Sequence, residues 1–462
     1  MHIKNLNISA KSSSAIIIFL GWAMDDRPFA NLHKDGYDVI FIWGTQDEDF
    51  AAEYQGIVCQ YSQVVVIAWS YGVAVANSLI SEKEALRIAV NGTPTPVSDT
   101  TGIPRLIFAL TLRNISESNI LNFYDKTLGQ SPMHEAFMLN LPQRNLAELK
   151  ADLVRYKNLP ISAPNKMWDK VYIADNDAII PPTNQANAWI GFDITHTDGS
   201  HFPDFQEIID RDIIDKALIA RRFAGSASGY ETEAEVQLNI AKQLNDLWRN
   251  YQNPRFSDVL EIGVGTGFLT RQYSTDVDSS RLTLLDLAPV EHIQTAARKA
   301  FSDITDIKFV SADAEQYLAD CQESSLDTIL SSSTIQWFAS PRRFFANVAK
   351  VLRPGGIAAI STFESGTYEE ISSLTGRSLD YHTLEQFVAM LPDSLQVLES
   401  KRETSKITFD NGRNLLKHIK MTGVNALSGT PLSYKKMISL MRQLDECPHL
   451  TYRHIYLIIK KL

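Results

Sequence analysis

The chain has 462 residues, 44% hydrophobic and 21% charged, with a formal net charge of −10, so length favours two or three domains, each with its own core. The acidity argues against nucleic acid as a partner, because phosphate binding needs concentrated Lys and Arg. No stretch approaches the length of a membrane span, and the three separated cysteines (Cys59, Cys321, Cys447) suggest neither a disulfide framework nor a zinc site and fit a reducing cytoplasm.

Met1–Lys11 is mildly basic and Ala15–Leu20 is apolar, which imitates a signal peptide. The apolar run is short, however, and leads into Gly21-Trp22-Ala23-Met24, so a buried first strand is expected there. Further strands are predicted at Asp38–Ile42, Gln63–Ile67, Leu86–Val90 and Lys170–Ala174. Continuous apolar strands alternating with helical patterns indicate a parallel sheet covered on both faces. From about 104 to 160 the strand pattern stops and helical patterns such as Asn145–Lys157 take over, which reads as a cap over the sheet. Asp204–Phe223 is predicted helical, and a domain boundary is placed at 214/215, giving domains 1–214 and 215–462.

The pattern then restarts, with a helix at Thr232–Trp248 and strands at Asp258–Ile262, Arg281–Leu285, Lys308–Val310, Thr328–Leu330 and Gly356–Thr362. This is a second doubly wound α/β arrangement. Tyr368–Met390 is helix-like and is a candidate second lid, and Leu450–Ile459 reads as an edge strand.

In the first half, Ala68-Trp69-Ser70-Tyr71-Gly72 follows a strand, with Ala68 where Gly is usual in a nucleophile elbow. Such a turn lifts Ser70 above the sheet edge beside a backbone N–H. In chain order an acid and a histidine should follow. Asp177 precedes Ala178-Ile179-Ile180-Pro181 after the strand Lys170–Ala174, with Asp175 the alternative, and His201 lies in Asp198-Gly199-Ser200-His201-Phe202-Pro203. In that triad His201 is the base and the acid fixes its tautomer. Oxyanion N–H groups are expected from Tyr71 and from Trp22 at the end of the first strand.

Gly21-Trp22-Ala23-Met24-Asp25, Ala68–Gly72, Asn91-Gly92-Thr93-Pro94, Gly102-Ile103-Pro104 and Gly199–Pro203 together resemble the BioG-type pimeloyl-[acyl-carrier protein] methyl ester esterases, over most of residues 15–205. The resemblance implies a capped α/β-hydrolase and a Ser70, Asp177, His201 triad. The implied substrate is a methyl ester at the far end of a seven-carbon chain carried on phosphopantetheine. Arg113, Arg144, Lys150, Arg155 and Lys157 in the cap are candidates for docking an acidic acyl carrier protein, or else a solvated helix face.

In the second half, Glu261-Ile262-Gly263-Val264-Gly265-Thr266-Gly267 follows a strand, with a spacing unlike the GxGxxG of a nicotinamide dinucleotide fold. Asp286 ends the next strand and suits ribose hydroxyls, while Asp313 and Ala314 follow the third and suit adenine. Ser331 begins the run Ser331-Ser332-Ser333-Thr334 beside them, and Leu352-Arg353-Pro354-Gly355-Gly356 turns into the fifth strand. In this order the features point to a Rossmann-like class I methyltransferase using S-adenosyl-L-methionine, held by Glu261, Gly263, Gly265, Gly267, Asp286, Asp313, Ala314 and Ser331.

Phe223 through Tyr230 to Gln237, Leu260–Gly267, Ile335-Gln336-Trp337, Phe409-Asp410 and Lys420-Met421-Thr422-Gly423-Val424-Asn425 resemble the BioC-type malonyl-[acyl-carrier protein] O-methyltransferases, over residues 221–462. The resemblance implies that Tyr230 lies over the cofactor in an N-terminal lid. A carboxylate acceptor is already ionised, so alignment and desolvation suffice and no general base is expected. The combined expectation is a cytoplasmic, bifunctional enzyme of biotin synthesis, with neither nucleic acid nor membrane as partner. The competing expectation is a carboxylesterase or thioesterase fused to a natural-product O-methyltransferase.

Overall fold

The computed structural model describes residues 2–6, 12–44, 50–251, 258–274, 281–290, 293–294, 297–298, 301, 306–375, 378–379, 381–422 and 434–462, without the side chains of 217, 226–233 and 434–436. The chain divides into two compact units, Met1–Ile213 and Ile214–Leu462.

The first unit is built on seven strands: β1 (His2–Asn5), β2 (Ser14–Phe19), β3 (Tyr37–Trp43), β4 (Gln63–Trp69), β5 (Leu86–Val90), β6 (Lys170–Ala174) and β7 (Ile194–Thr197). Their order is β1-β3-β2-β4-β5-β6-β7. All pairs are parallel except β1, which runs antiparallel to β3. Ile16, Ile17 and Ile18 are fully buried, which is why β2 reads as an unbroken apolar run. The end strands β1 and β7 were outside the sequence expectation. Each is four residues of mixed polarity, as edge strands are, so neither carries an apolar run.

Between β5 and β6 lie the helices Arg105–Arg113, Glu117–Leu128, His134–Leu139 and Leu146–Lys157. Two of them start where a side chain takes up a free first-turn N–H: Ser116 accepts from Asn119 and Asn145 from Glu148. The amino ends of β5 and β6 are tied by a buried ion pair. Asp169 accepts from both the backbone N and Nε of Arg87, at 2.8 and 2.9 Å, and both side chains are at most 5% exposed.

The second unit contains β8 (Asp258–Ile262), β9 (Arg281–Asp286), β10 (Asp306–Ser311), β11 (Leu326–Ser332), β12 (Leu352–Phe363), β13 (Leu395–Thr408) and β14 (His449–Lys461). The order is β10-β9-β8-β11-β12-β14-β13. β8 to β12 are parallel, and β14 is antiparallel to both β12 and β13. Strand order reverses between β8 and β11, the crevice where doubly wound sheets bind ligands.

Three sequence expectations are corrected. Leu450–Ile459 is not an edge: β14 is covered on both sides, and the unanticipated β13 forms the edge, with alternating exposed positions in place of an apolar run. Asp204–Phe223 is two helices, Phe205–Asp212 and Lys216–Glu233, interrupted where Ile213 turns extended at φ −94°, ψ 100°. Tyr368–Met390 holds two short helices, Glu369–Thr375 and Leu384–Ala389, the second started by a Thr383/Gln386 capping box.

Removing Asp169 leaves the Arg87 charge buried and unpaired, a loss of about 3–5 kcal/mol. In urea unfolding of Asp169→Ala, the transition of the first unit should move to lower denaturant while that of the second stays in place. Coincidence of both transitions with wild type would overturn this.

Candidate active sites

In the first unit, β4 delivers the chain to Ser70, which has φ 56° and ψ −124° before the helix Tyr71–Asn77 begins. A non-glycine residue held there costs about 1–3 kcal/mol and persists only where its surroundings enforce it. Close packing does so: a Cβ on Gly72 would lie 2.3 Å from the Phe19 carbonyl oxygen. The strain aims Ser70 at His201, whose Nε2 lies 2.9 Å from Ser70 Oγ and whose Nδ1 lies 2.8 Å from Asp177 Oδ2. All three side chains are buried.

Of the two candidate acids, Asp177 is the one that faces His201. Asp175 pairs with the exposed His196 at 2.7 Å, away from the serine. The other oxygen of Asp177 accepts from the backbone N–H groups of Ile179 and Ile180 at 2.8 and 2.9 Å. His201 is fixed through its own carbonyl, which accepts from Trp69 Nε1 and Asn91 Nδ2 at 2.8 and 3.0 Å. Asn91 Oδ1 in turn accepts from Ala174 N, so one amide ties the histidine loop to the end of β6.

Tyr71 opens a helix, so its N–H is among the first-turn donors without an intrahelical partner. Gly21 brings the segment before Trp22 against Ser70, since a Cβ there would lie 3.0 Å from Ser70 Cβ. Tyr71 directly follows Ser70, and Trp22 directly follows the glycine packed against it. Their side chains reach the cap: Tyr71 stacks on Tyr156 with centroids 4.3 Å apart, and Trp22 Nε1 donates to the Leu149 carbonyl at 2.9 Å. An alcohol, a base and two N–H groups in this arrangement can perform acyl transfer through a serine ester.

In the second unit a cavity of about 400 Å³ opens at the reversal point, within the usual range for small-molecule sites. Gly263 and Gly265 form one wall. At Gly263, φ is +73° and a Cβ would overlap Thr334 at 1.9 Å, so only glycine lets the β8 loop pass the end of β11. Asp286 lines the cavity and accepts from Gly265 N and Ala288 N at 2.7 and 2.8 Å. Phe223 and Trp337, edge to face at 5.7 Å, supply apolar wall. Thr266 Oγ1, Ser333 Oγ and Gln237 Oε1 in the lining are buried without a partner among the described residues, which suits a polar ligand.

Ala314 and Asp313 also line the cavity. Asp313 is already engaged, however, because Lys216 Nζ donates to its two oxygens at 2.7 and 2.6 Å and also to Glu315. Burial alone would lower the Lys216 pKa, but the facing Glu315 and Asp313 carboxylates outweigh it and hold the pKa above its ordinary value. An adenine amino group at Asp313 would share that carboxylate with Lys216, a residue that no sequence motif marks.

Three other expected ligands stand outside the lining. Gly267 starts the helix Phe268–Tyr273 at φ 84°. Ser331 is fully buried, one position out of phase with Ser332 on the strand. Glu261 is buried away from the cavity and accepts from Thr270 Oγ1, at 3.0 and 2.8 Å, and from the Tyr273 hydroxyl. The Tyr230 side chain and Gly423-Val424-Asn425 lie outside the described residues.

Two expectations follow from these contacts. Asp177→Asn should reduce Ser70 turnover of an ester about 10³–10⁴-fold, whereas Asp175→Asn should stay within about twofold of wild type by the same reasoning; equal losses in steady-state rates would refute the assignment. Burial raises the Glu261 pKa from 4.5 to about 7, against the lowering effect of its Tyr273 and Thr270 hydrogen bonds. The folded unit therefore keeps a proton that the unfolded chain releases, so this stabilisation is full below about pH 4.5 and is lost as pH rises to about 7. Glu261→Gln should flatten the pH dependence of the second unit's Tm over that window, with a gain of order 3 kcal/mol at pH 8. A Tm profile parallel to wild type would count against it.

Comparison with known proteins agrees with this two-part construction. The family described as "Pimeloyl-ACP methyl esterase BioG" matches residues 3–208, and "Methyltransferase domain" matches residues 260–360. A malonyl-[acyl-carrier protein] O-methyltransferase of Bacteroides fragilis is 31% identical over 467 residues, covering 97% of this chain and 93% of its own length. The Haemophilus ducreyi protein of the same name is 33% identical over 217 residues, 47% of this chain and 83% of that protein. The crystal structure of BioG from Haemophilus influenzae is 25% identical with a TM-score of 0.38, covering 44% of this chain and 94% of that one. An α/β-hydrolase of BioG type thus precedes a class I methyltransferase, and the chain belongs to the malonyl-[acyl-carrier protein] O-methyltransferase family.

Proposed function

We propose that this chain performs two opposite reactions of biotin synthesis on acyl groups carried by acyl carrier protein. The second unit methylates the free carboxylate of a malonyl group, and the first hydrolyses the methyl ester once the chain has grown to pimeloyl length. The observation that carries the reading is the Ser70–His201–Asp177 array within the BioG-matching segment of a chain that aligns almost throughout with a malonyl-[acyl-carrier protein] O-methyltransferase.

In the esterase, His201 Nε2 takes the proton as Ser70 Oγ attacks the ester carbonyl. The Trp22 and Tyr71 N–H groups receive the developing oxyanion. His201 then gives its proton to the departing methoxide, releasing methanol. Water, deprotonated by the same nitrogen, frees the acid and restores Ser70. The cap, whose Leu146–Lys157 helix contacts Trp22 and Tyr71, is the proposed ruler: a malonyl-length chain on a carrier protein docked outside would not reach Ser70. Of the basic cap residues, Arg113, Lys150, Arg155 and Lys157 are exposed and suit an acidic carrier protein. Arg144 does not: its side chain is buried and bonded to Asp152 at 2.9 Å.

In the methyltransferase, bound S-adenosylmethionine supplies an electrophilic methyl group. In this reading Asp286 would hold the ribose hydroxyls, Ala314 and Asp313 the adenine, and the Gly263–Gly265 backbone the amino-acid end; all of them line the cavity. Phe223 and Trp337 exclude water, which leaves an ionised acceptor carboxylate poorly solvated and reactive. Among the described residues no helix is long and apolar enough to cross a membrane. The proposal assigns both reactions to the cytoplasm.

Incubating malonyl-acyl carrier protein with S-adenosylmethionine and the Ser70→Ala chain should raise its intact mass by one methyl group, since the variant cannot remove the ester. Unchanged mass, with cofactor binding intact by calorimetry, would refute the acceptor.

A further inference from the structure

Gln185, in the helix Pro182–Ala188, is fully buried against the triad acid. Its Nε2 donates to Asp177 Oδ2 at 2.8 Å and to the Ile180 carbonyl at 2.9 Å, while its Oε1 is buried without a partner among the described residues. We infer that Gln185 is a positioning residue for the esterase, acting through Asp177 on the basicity and aim of His201. This rests on the triad assignment proposed above.

The carboxylate of Asp177 offers about four acceptor positions, and all are used. Oδ1 takes the Ile179 and Ile180 N–H groups, and Oδ2 takes Gln185 and His201. A carboxylate filled in this way cannot rotate about its Cβ–Cγ bond, so the lone pair facing His201 Nδ1 stays in place while the imidazole charges and discharges. Neutral donors accomplish this without cancelling the negative charge that stabilises the imidazolium. A lysine or arginine at 185 would compete with that role. Packing alone does not explain the choice of side chain, because an apolar residue of the same volume would avoid burying an unpartnered amide oxygen.

The charged groups nearest in the chain are turned elsewhere. Asp175 pairs with His196, and Asp198 accepts from Asn176 Nδ2 at 2.9 Å. Among the described residues, His201 is the sole ionisable side chain bonded to Asp177.

The test is the rate at which a fluorophosphonate labels Ser70 in the full chain as a function of pH, a readout independent of the natural substrate. In wild type the acid limb of this profile reports His201. Loss of one donor concentrates charge on Oδ2 and holds the imidazolium more tightly, so in Gln185→Met the limb should move up by about half to one pH unit. The plateau should fall about tenfold or more through lost alignment. In Gln185→Glu, the introduced carboxyl can donate as the amide does while it keeps its proton, but two carboxylates in contact cannot both ionise freely. Its profile should therefore gain a descending limb that wild type lacks, and this profile decides the matter if Gln185→Met does not fold. Profiles of the folded variants that overlay wild type in limb and plateau would reduce Gln185 to packing and overturn the proposal. Failure of wild type to label at Ser70 would instead refute the triad itself.

Discussion

A parallel sheet delivers the carboxyl end of every strand to one edge, and both chemistries depend on that geometry. In the first unit β4, β6 and β7 end on that edge, which lets Ser70, Asp177 and His201 meet although 131 residues separate the first from the last. In the second, β8, β9, β10 and β11 end around one cavity, which collects Gly263, Asp286, Asp313 and Thr334. Neither site needs a dedicated scaffold beyond hydrogen-bonded strands in the right order.

Close approach at that edge is solved differently in the two units. The esterase accepts a strained serine at φ 56° and uses a neighbouring glycine to make room for the turn. In the methyltransferase the β8 loop places the left-handed conformation on glycines themselves, although Ser333 at the end of β11 also holds it, at φ 54°. The difference follows from what each loop presents: a nucleophilic hydroxyl in one case, bare backbone in the other.

The interior strands were legible because burial on both faces leaves a run such as Ala15–Phe19 with little polar interruption. The triad candidates were legible because each follows a strand end and they occur in a fixed chain order. What the pattern could not supply was direction. Asp175 and Asp177 share one loop, and only the turn at Ile179–Ile180 decides which reaches His201. Ser331 and Ser332 are equivalent in composition, yet strand alternation sends them to opposite faces. Glu261 lies beside the glycine loop in sequence but spends its carboxyl on Thr270 and Tyr273. Gln185 and Lys216 carry no motif at all, since each matters through contacts made in three dimensions.

Those contacts show how the chain manages buried carboxyl groups according to their use. Asp177 faces the His201 ring, and its remaining acceptor positions are filled by neutral donors. Asp313 and Glu315 face a lysine that balances their charge in the cavity wall, so a ligand donating to Asp313 must share it with Lys216. Glu261 accepts from the Thr270 and Tyr273 hydroxyls and from the Thr270 backbone, and burial still pushes its pKa up to about 7. Its carboxyl braces the start of the helix behind the glycine loop through Thr270 and Tyr273. One kind of side chain thus serves three purposes, and the donors packed around each copy distinguish them where the amino-acid pattern does not.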